Sequence, residues 1–352
     1  MTRTDEARTV RDEDAFDVAA VDAWLKQRVD GLSGTPAVRQ FPGGASNLTY
    51  LLSYPGRELV LRQPPRGTKA KSAHDMRREY LIQSRLKPVF RYVPEMLALC
   101  TEESVIGSDF YVMERITGLI LRKDLPSGVT LPPSEARKLC HNLLDRLVEL
   151  HSIDPAAAGL ADIGKGRGYV RRQVTGWSDR YRRAHTWNVP SYEKVMGWLD
   201  HNQPEDVRTC VIHNDFRFDN VVLDPSDLQR VRGILDWEMA TLGDPLMDLG
   251  GALAYWIQAD DGWLSGTLRR QPTHLPGMLT RREVVAYYCE RAGLPSENWT
   301  FYEVFGLFRL AVIAQQIYYR YFHKQTSNPA FRTLWIAVHY LHRRASRLIR
   351  AS

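Results

Sequence analysis

The sequence predicts an α+β protein of two lobes, an antiparallel sheet with helices followed by a mainly helical lobe. Three observations carry this. Hairpin turns and strand-like apolar runs crowd into the part of the chain before residue 116. Beyond it the chain reads as a succession of amphipathic helices. One polar-studded stretch, Val211 to Leu249, interrupts those helices. A length of 352 residues suits two lobes and a large core. The expected organisation is a disordered tail over 1–15, a sheet-bearing lobe over 16–116, and a mainly helical lobe over 117–352.

The elements follow in order. Val18, Val21, Leu25 and Val29 recur at helical spacing, which predicts a helix over 17–29 closed by Gly31 and Gly34. The runs LTYLLSY and ELVLR flank Pro55-Gly56 and predict a hairpin. Its entry carries Gly43, Gly44, Ser46 and Asn47, and its second strand ends on Arg62. A helix over 73–86 carries Glu79, the natural partner for Arg62, with a surface glutamate as the plainer alternative. Segments 93–100 and 110–116 predict two more strands around a turn at Gly107-Ser108-Asp109, for a sheet of about five. Further helices are expected over 133–153 (Ser134 as N-cap), 191–201, 245–258, 280–292, 302–323 and 328–350.

Composition narrows the function classes. Hydrophobic residues at 44% and charged residues at 25% are ordinary for a soluble globular chain. No run approaches the ~20 apolar residues of a membrane span. The polar start lacks the apolar core of a signal peptide. Cys100, Cys140, Cys210 and Cys289 lie far apart, without zinc or disulfide spacing, and read as core thiols of a cytoplasmic protein. The net charge of +6 suits anionic ligands but is too diffuse for nucleic acid.

Within Val211 to Leu249 the pattern is H-x-D-x-x-x-x-N, then I-L-D-W-E, then T-L-G-D-P-L-M-D. Phosphoryl transfer needs a carboxylate to orient an attacking hydroxyl, and an amide and a second carboxylate to hold magnesium. Asp215, Asn220 and Asp236 supply these in that order. The runs 221–223 and 231–235 turn around Asp224-Pro225-Ser226-Asp227, and such a hairpin would bring Asn220 and Asp236 to one end. Segment 160–187 carries seven Lys or Arg against two Asp, interleaved with Tyr169, Trp177, Tyr181 and Trp187. It reads equally as a solvated helix face or as a surface recognising a phosphate-bearing second substrate.

Taken together, GGASNLTYLL, VLRQPP, RREY, VIGSDFYVMERITG, VIHNDFRFDN, ILDWE and TLGDPLMDL resemble the aminoglycoside phosphotransferase and choline-kinase-like superfamily, built on the protein-kinase-like fold. The resemblance runs from Val38 to the end. It is strongest to the kinase domain found fused to acyl-CoA dehydrogenases and to its stand-alone bacterial relatives, which also place arginine where other kinases have lysine.

The resemblance implies ATP and Mg2+ as cofactors. It implies Asp215 as base, His213 as its brace, and Asn220 and Asp236 as metal ligands. Gly43, Gly44, Ser46 and Asn47 would cover the phosphates, Arg62 and Glu79 would position them, and the backbone of Glu114 to Ile116 would meet adenine. Asp248 and Asp244 would support the catalytic loop and the following helix. Arg171, Arg172 and Trp177 are candidate acceptor contacts. Members act on antibiotics, choline and, in the dehydrogenase-linked branch, hydroxyacyl-CoA compounds. The basic 160–187 segment, with thirteen Lys or Arg against eight Asp or Glu beyond residue 240, favours an anionic small-molecule acceptor, a hydroxyacyl-CoA or hydroxy acid. An aminoglycoside or amino-alcohol kinase and a pseudokinase binding module are the competing expectations.

Overall fold

The structure is a computed structural model that describes residues 7–42, 47–65, 75–262, 265–266 and 269–352. Five strands form one antiparallel sheet: β1 (Ala37–Gln40), β2 (Leu48–Tyr54), β3 (Arg57–Gln63), β4 (Met96–Cys100) and β5 (Phe110–Glu114), in the order β1-β2-β3-β5-β4. The β2–β3 hairpin turns at Pro55-Gly56, where Gly56 holds φ +76, a conformation open to glycine at little cost. Its register sets Thr49 opposite Arg62 and Leu51 opposite Val60.

Strand alternation then sorts β3 onto two faces. Leu59 and Leu61 pack with α1 (Val18–Lys26), against Val21, Trp24 and Leu25. Val60 packs with Met76 of α2 (Met76–Leu86) and with Tyr111 and Met113. Arg62 therefore emerges on the α2 face, beside Glu79.

The tail differs from expectation. Arg8 and Gln40 exchange two backbone hydrogen bonds of 2.7 Å. Asp14 is buried, accepts from Gln40 Nε2 at 2.8 Å, and its backbone carbonyl takes the Tyr50 hydroxyl at 2.8 Å. Residues 8–14 are thus tied to the sheet edge through main-chain pairing, which a polar composition does not reveal. Strand β1 and the short helix α3 (Glu103–Ile106) were also unassigned by periodicity.

The helical part opens, after the two-residue strand β6 (Leu119–Ile120), with α4 (Pro133–His151). Its N-cap is Pro132, with no side-chain cap, so the expected Ser134 cap is corrected. Pro133 takes the first helical position, where its missing N–H costs nothing, and Ser134 falls inside the first turn. Next come α5 (Tyr169–Ala184), α6 (Glu193–His201) and β7 (Cys210–Ile212), then the hairpin β8 (Val221–Leu223) and β9 (Val231–Ile234). β10 (Thr241–Gly243) pairs antiparallel with β7, and β6 joins the edge of β8. The chain ends with α7 (Pro245–Ala254), α8 (Arg281–Ala292), α9 (Trp299–Phe322) and α10 (Leu334–Ala351). Among the described residues, no helix is long and apolar enough to cross a membrane. All four cysteines are free and buried.

Helix α7 is buried along its whole length and crosses α9 on glycines. A Cβ on Gly306 would lie 2.1 Å from the Gly250 carbonyl oxygen, and one on Gly250 would lie 2.6 Å from the Tyr302 carbonyl oxygen. Because α7 carries Asp248, which accepts from the His213 and Asn214 N–H groups, this crossing helps to position the loop that follows β7. Gly306→Ala is expected to destabilise the fold by about 1–3 kcal/mol through overpacking, read as a lowered urea midpoint.

Helix α8 begins with a complete capping box between Thr280 and Glu283. The Arg137 hydrogen bond at 2.5 Å, with the Thr280 backbone N–H, depresses Glu283 from its ordinary 4.5 to about 2. A depressed carboxylate stabilises the fold fully above its unfolded pKa, and that contribution disappears as pH falls through the folded one. The side chain is 40% exposed, so solvent screens the pair. Glu283→Gln should cost up to about 1 kcal/mol at neutral pH, as lost charge toward Arg137 and the helix N-terminus, because glutamine keeps the capping acceptor. Denaturation at pH 7 and pH 3 should show that gap narrowing at the lower pH.

Candidate active site

The site forms where the sheet faces the β8–β9 hairpin. Leu235 N–H donates to the Asn220 carbonyl at 2.8 Å, so the hairpin places Asn220 and Asp236 at one end. Asp236 adopts φ +68, and Asn214 φ +65. Such left-handed backbone in non-glycine residues is strain of the kind concentrated at functional positions.

Asp215 is half-buried. Its carboxylate accepts from Asn220 Nδ2 at 3.0 Å and pairs with Arg217 at 3.1 Å. Burial pushes its pKa up to about 6, with Arg217 opposing the rise. The loop is braced from beneath. His213 Nδ1 accepts from Asp215 N–H at 3.2 Å, while Nε2 lies 3.0 Å from the Leu235 carbonyl and donates to it. Burial lowers the His213 pKa, so the ring stays neutral in that tautomer.

Asp248, from α7, accepts from His213 N–H at 2.9 Å and Asn214 N–H at 2.8 Å. It also meets His151 Nε2 at 3.1 Å. Burial would raise its pKa, but the hydrogen bond and charge of His151 hold it below the ordinary carboxylate range. Asp244 caps α7 through Leu246 and Met247 N–H and also accepts from Val207 N–H at 2.7 Å. Burial pushes its pKa up to about 6.

On the sheet side, Arg62 sits among carboxylates: 3.2 Å from Asp236, 3.8 Å from Glu79 and 3.8 Å from Glu238. Burial works against its charge, and Tyr111, Asp236, Glu79 and Glu238 outweigh it and hold the guanidinium above its usual pKa. Glu79 accepts from Tyr111 Oη at 2.9 Å and from Asn47 Nδ2 at 3.0 Å. Burial raises its pKa and Arg62 lowers it. Asn47 also reaches Glu238 at 3.1 Å, joining the sheet to the segment after Asp236.

Asn47, Arg62, Asn220, Asp236 and Glu238 line a cavity of about 430 Å³, together with the apolar Val60, Met113 and Ile116. The Glu114 carboxylate is occupied by Lys87 at 3.0 Å and Glu95 N–H at 2.8 Å, and its backbone N–H donates to the Glu95 carbonyl at 2.9 Å. Gly43, Gly44 and Ser46 lie outside the described residues.

The donors suit a hard cation. Asn220 spends its amide N–H on Asp215, which frees its oxygen. Asp236 adds a carboxylate, and magnesium takes one or two protein oxygens with phosphate and water completing its shell.

The acceptor-side residues separate. Trp177 is buried, with Nε1 donating to Gln173 at 3.0 Å, and lines a second hollow together with Arg172. Arg172 is braced on the Gly166 carbonyl at 2.6 Å and on that of Arg167. Arg171 is not brought there. It is exposed and lines a different depression with Gln203 to Asp206.

Two basic residues of the site escaped sequence reasoning. Arg217 pairs with Asp215 and Asp219 and lies 4.5 Å from the Tyr255 ring centroid. Its place in FRFDN, two residues past the base, was the available signal. Arg309, on α9, donates to the Asn214 carbonyl at 2.8 Å, and its sequence position gives no hint of this.

A sheet with a buried Arg–Glu pair above a helical part that presents H-x-D-x-x-x-x-N and an Asp on a hairpin is a protein-kinase-like fold. The model of the phosphotransferase enzyme family APH matches residues 37–284, and the chain belongs to that family, whose enzymes transfer phosphoryl groups to hydroxyls. It is 37% identical over 328 residues to mouse acyl-CoA dehydrogenase family member 10, covering 91% of this chain and 30% of that protein. It is 34% identical over 330 residues to rat acyl-CoA dehydrogenase family member 11, covering 91% of this chain and 42% of that one. The chain thus spans less than half the length of these relatives. A solved protein from Ralstonia eutropha JMP134, classed with the aminoglycoside phosphotransferases, superposes with a TM-score of 0.81 at 31% identity, covering 96% of this chain and 99% of that one.

Proposed function

We propose that the chain is a magnesium-dependent kinase that moves the γ-phosphoryl group of ATP to a hydroxyl of an anionic small molecule. The observation that carries this is the convergence of Asn220, Asp236 and Arg62 on one cavity, with Asp215 bonded to Asn220 and Glu79 paired with Arg62. Residues 16–116 serve as the nucleotide lobe and 117–352 as the catalytic and acceptor lobe, in a reducing cytoplasm that suits four free thiols.

In this reading Asp215 receives and orients the acceptor hydroxyl. Its carboxylate needs positioning more than basicity, because the transition state is loose. His213 and Asp248 fix the loop from below. Asn220 and Asp236 would hold Mg2+, which supplies charge neutralisation at the phosphates. Arg62, held by Glu79, grips phosphate oxygens with a fork of donors that lysine lacks, and Arg217 stands beside the base as a second cation. The backbone of Glu114 to Ile116 is the adenine edge.

The acceptor we favour is a hydroxyacyl-CoA or related hydroxy acid. Two features support it: the basic lining beside Trp177, and relatives whose names join this kind of domain to acyl-CoA dehydrogenases. An ADP-release panel tests it. A 4-hydroxyacyl-CoA should be turned over in preference to kanamycin and choline. Turnover of kanamycin with none of the acyl-CoA would replace the acceptor assignment, and failure to bind Mg-ATP would favour a binding module.

A further inference from the structure

Asn214, the residue before Asp215, lines a second hollow of about 440 Å³. Four cations line it as well: Lys165, Arg172, Arg180 and Arg309. No carboxylate does. Among the described residues the polar partners of Arg172 and Arg309 are backbone carbonyls, and none of the four cations has an acidic partner.

Arg309 forms the floor. It is 8% exposed, and it reaches the catalytic loop across Gly251, where a Cβ would stand 2.7 Å from its guanidinium. One nitrogen is spent on the Asn214 carbonyl. The guanidinium lies 5.5 Å from the Trp177 ring centroid, and that of Arg180 lies 4.6 Å from the same ring. Trp177 is therefore engaged by two arginines and spaces them, leaving little of its face for a ligand's ring. Arg180 and Lys165 are exposed and stand at the mouth.

A buried cation facing other cations, with no acid in direct contact, is costly, and the charge of the Asp215 carboxylate offsets only part of that. A carbonyl and an indole offset only part of that cost. An anion entering the hollow would relieve it. One carboxylate would balance one charge of four. A phosphate dianion or diphosphate balances two or more, and its oxygens match the guanidinium fork.

We propose that this hollow is a seat for a phosphate group carried by the acceptor, with Arg309 as floor and Arg180 and Lys165 at the mouth. The occupant's identity as part of the acceptor rests on the kinase reading. The seat itself does not. A phosphate held here places the rest of the molecule at Asn214, one residue from the base, so the acceptor is selected by its charge as well as by its hydroxyl.

Inorganic pyrophosphate, titrated by calorimetry into the full chain with EDTA and without nucleotide, is the probe. Wild type should bind it. Arg309→Gln and Arg180→Gln should each weaken binding about tenfold or more, the loss of a charge-assisted hydrogen bond. Arg62→Gln, which strips the nucleotide side, should keep the component of binding that Arg309→Gln and Arg180→Gln remove, and malonate should bind more weakly than pyrophosphate.

The seat is overturned if wild type does not bind, if both seat variants bind normally, if Arg62→Gln abolishes binding, or if malonate binds as tightly. Arg180 is exposed, so its variant keeps the test decisive should Arg309→Gln fold poorly. Mg-ATP binding is measured in parallel. Its absence beside a pyrophosphate response of the expected pattern overturns the kinase reading alone, and its presence without that response overturns the seat alone.

Discussion

Asp215→Asn should lower phosphoryl transfer by about 10²–10⁴-fold, the range for a positioned proton acceptor, while Mg-ATP still binds. The substitution keeps the side chain's size and its contact with Asn220 Nδ2 through the amide oxygen. It removes the charge that pairs with Arg217 at 3.1 Å and the lone pair that would accept the hydroxyl proton. Steady-state kinetics should show the loss in kcat, with the KM for ATP little altered, because in the proposed function the phosphates are assigned to Arg62 on the sheet side. A loss confined to KM would place Asp215 in binding instead.

Asp236→Ala should have an effect of similar size by another route. In its proposed role as a magnesium ligand Asp236 supplies several kcal/mol of charge stabilisation, on the order of 10³-fold or more in turnover. The substitution also leaves Arg62 without its 3.2 Å partner, so the guanidinium falls back on Glu79 and Glu238. Mn2+ binding followed by paramagnetic resonance in the presence of an ATP analogue should be lost with it. Retained Mn2+ affinity would show that other oxygens hold the metal.

The sheet and the meeting of Asp215, Asn220 and Asp236 were readable in the sequence because each leaves a local signature. β2 and β3 alternate around a Pro-Gly turn, and Asp215, Asn220 and Asp236 fall within one short stretch whose hairpin fixes their spacing. What was missed depends on distant pairing. β1 is four residues long, and the polar segment from Arg8 to Asp14 is ordered only by docking on its edge and on Tyr50. Strands β6, β7 and β10 are two or three residues each, too short for a period of two to register.

The acceptor side shows the same limit. Residues 171 and 172 are neighbours in sequence, yet helical rotation sends Arg171 to one depression and Arg172 to another. Trp177 was expected as an acceptor contact, and two guanidiniums already lie against its ring. Arg309 lies 95 residues from the loop it holds. Only the crossing of α9 over α7, permitted by Gly250, Gly251 and Gly306, brings it there.

The most direct test of the account follows the label from γ-³²P-ATP in the presence of Mg2+, with a 4-hydroxyacyl-CoA and kanamycin offered in separate reactions. The account predicts label on the acyl-CoA hydroxyl, none on kanamycin, and loss of that label in Asp215→Asn. Label on kanamycin alone, or transfer that persists in Asp215→Asn, would contradict it.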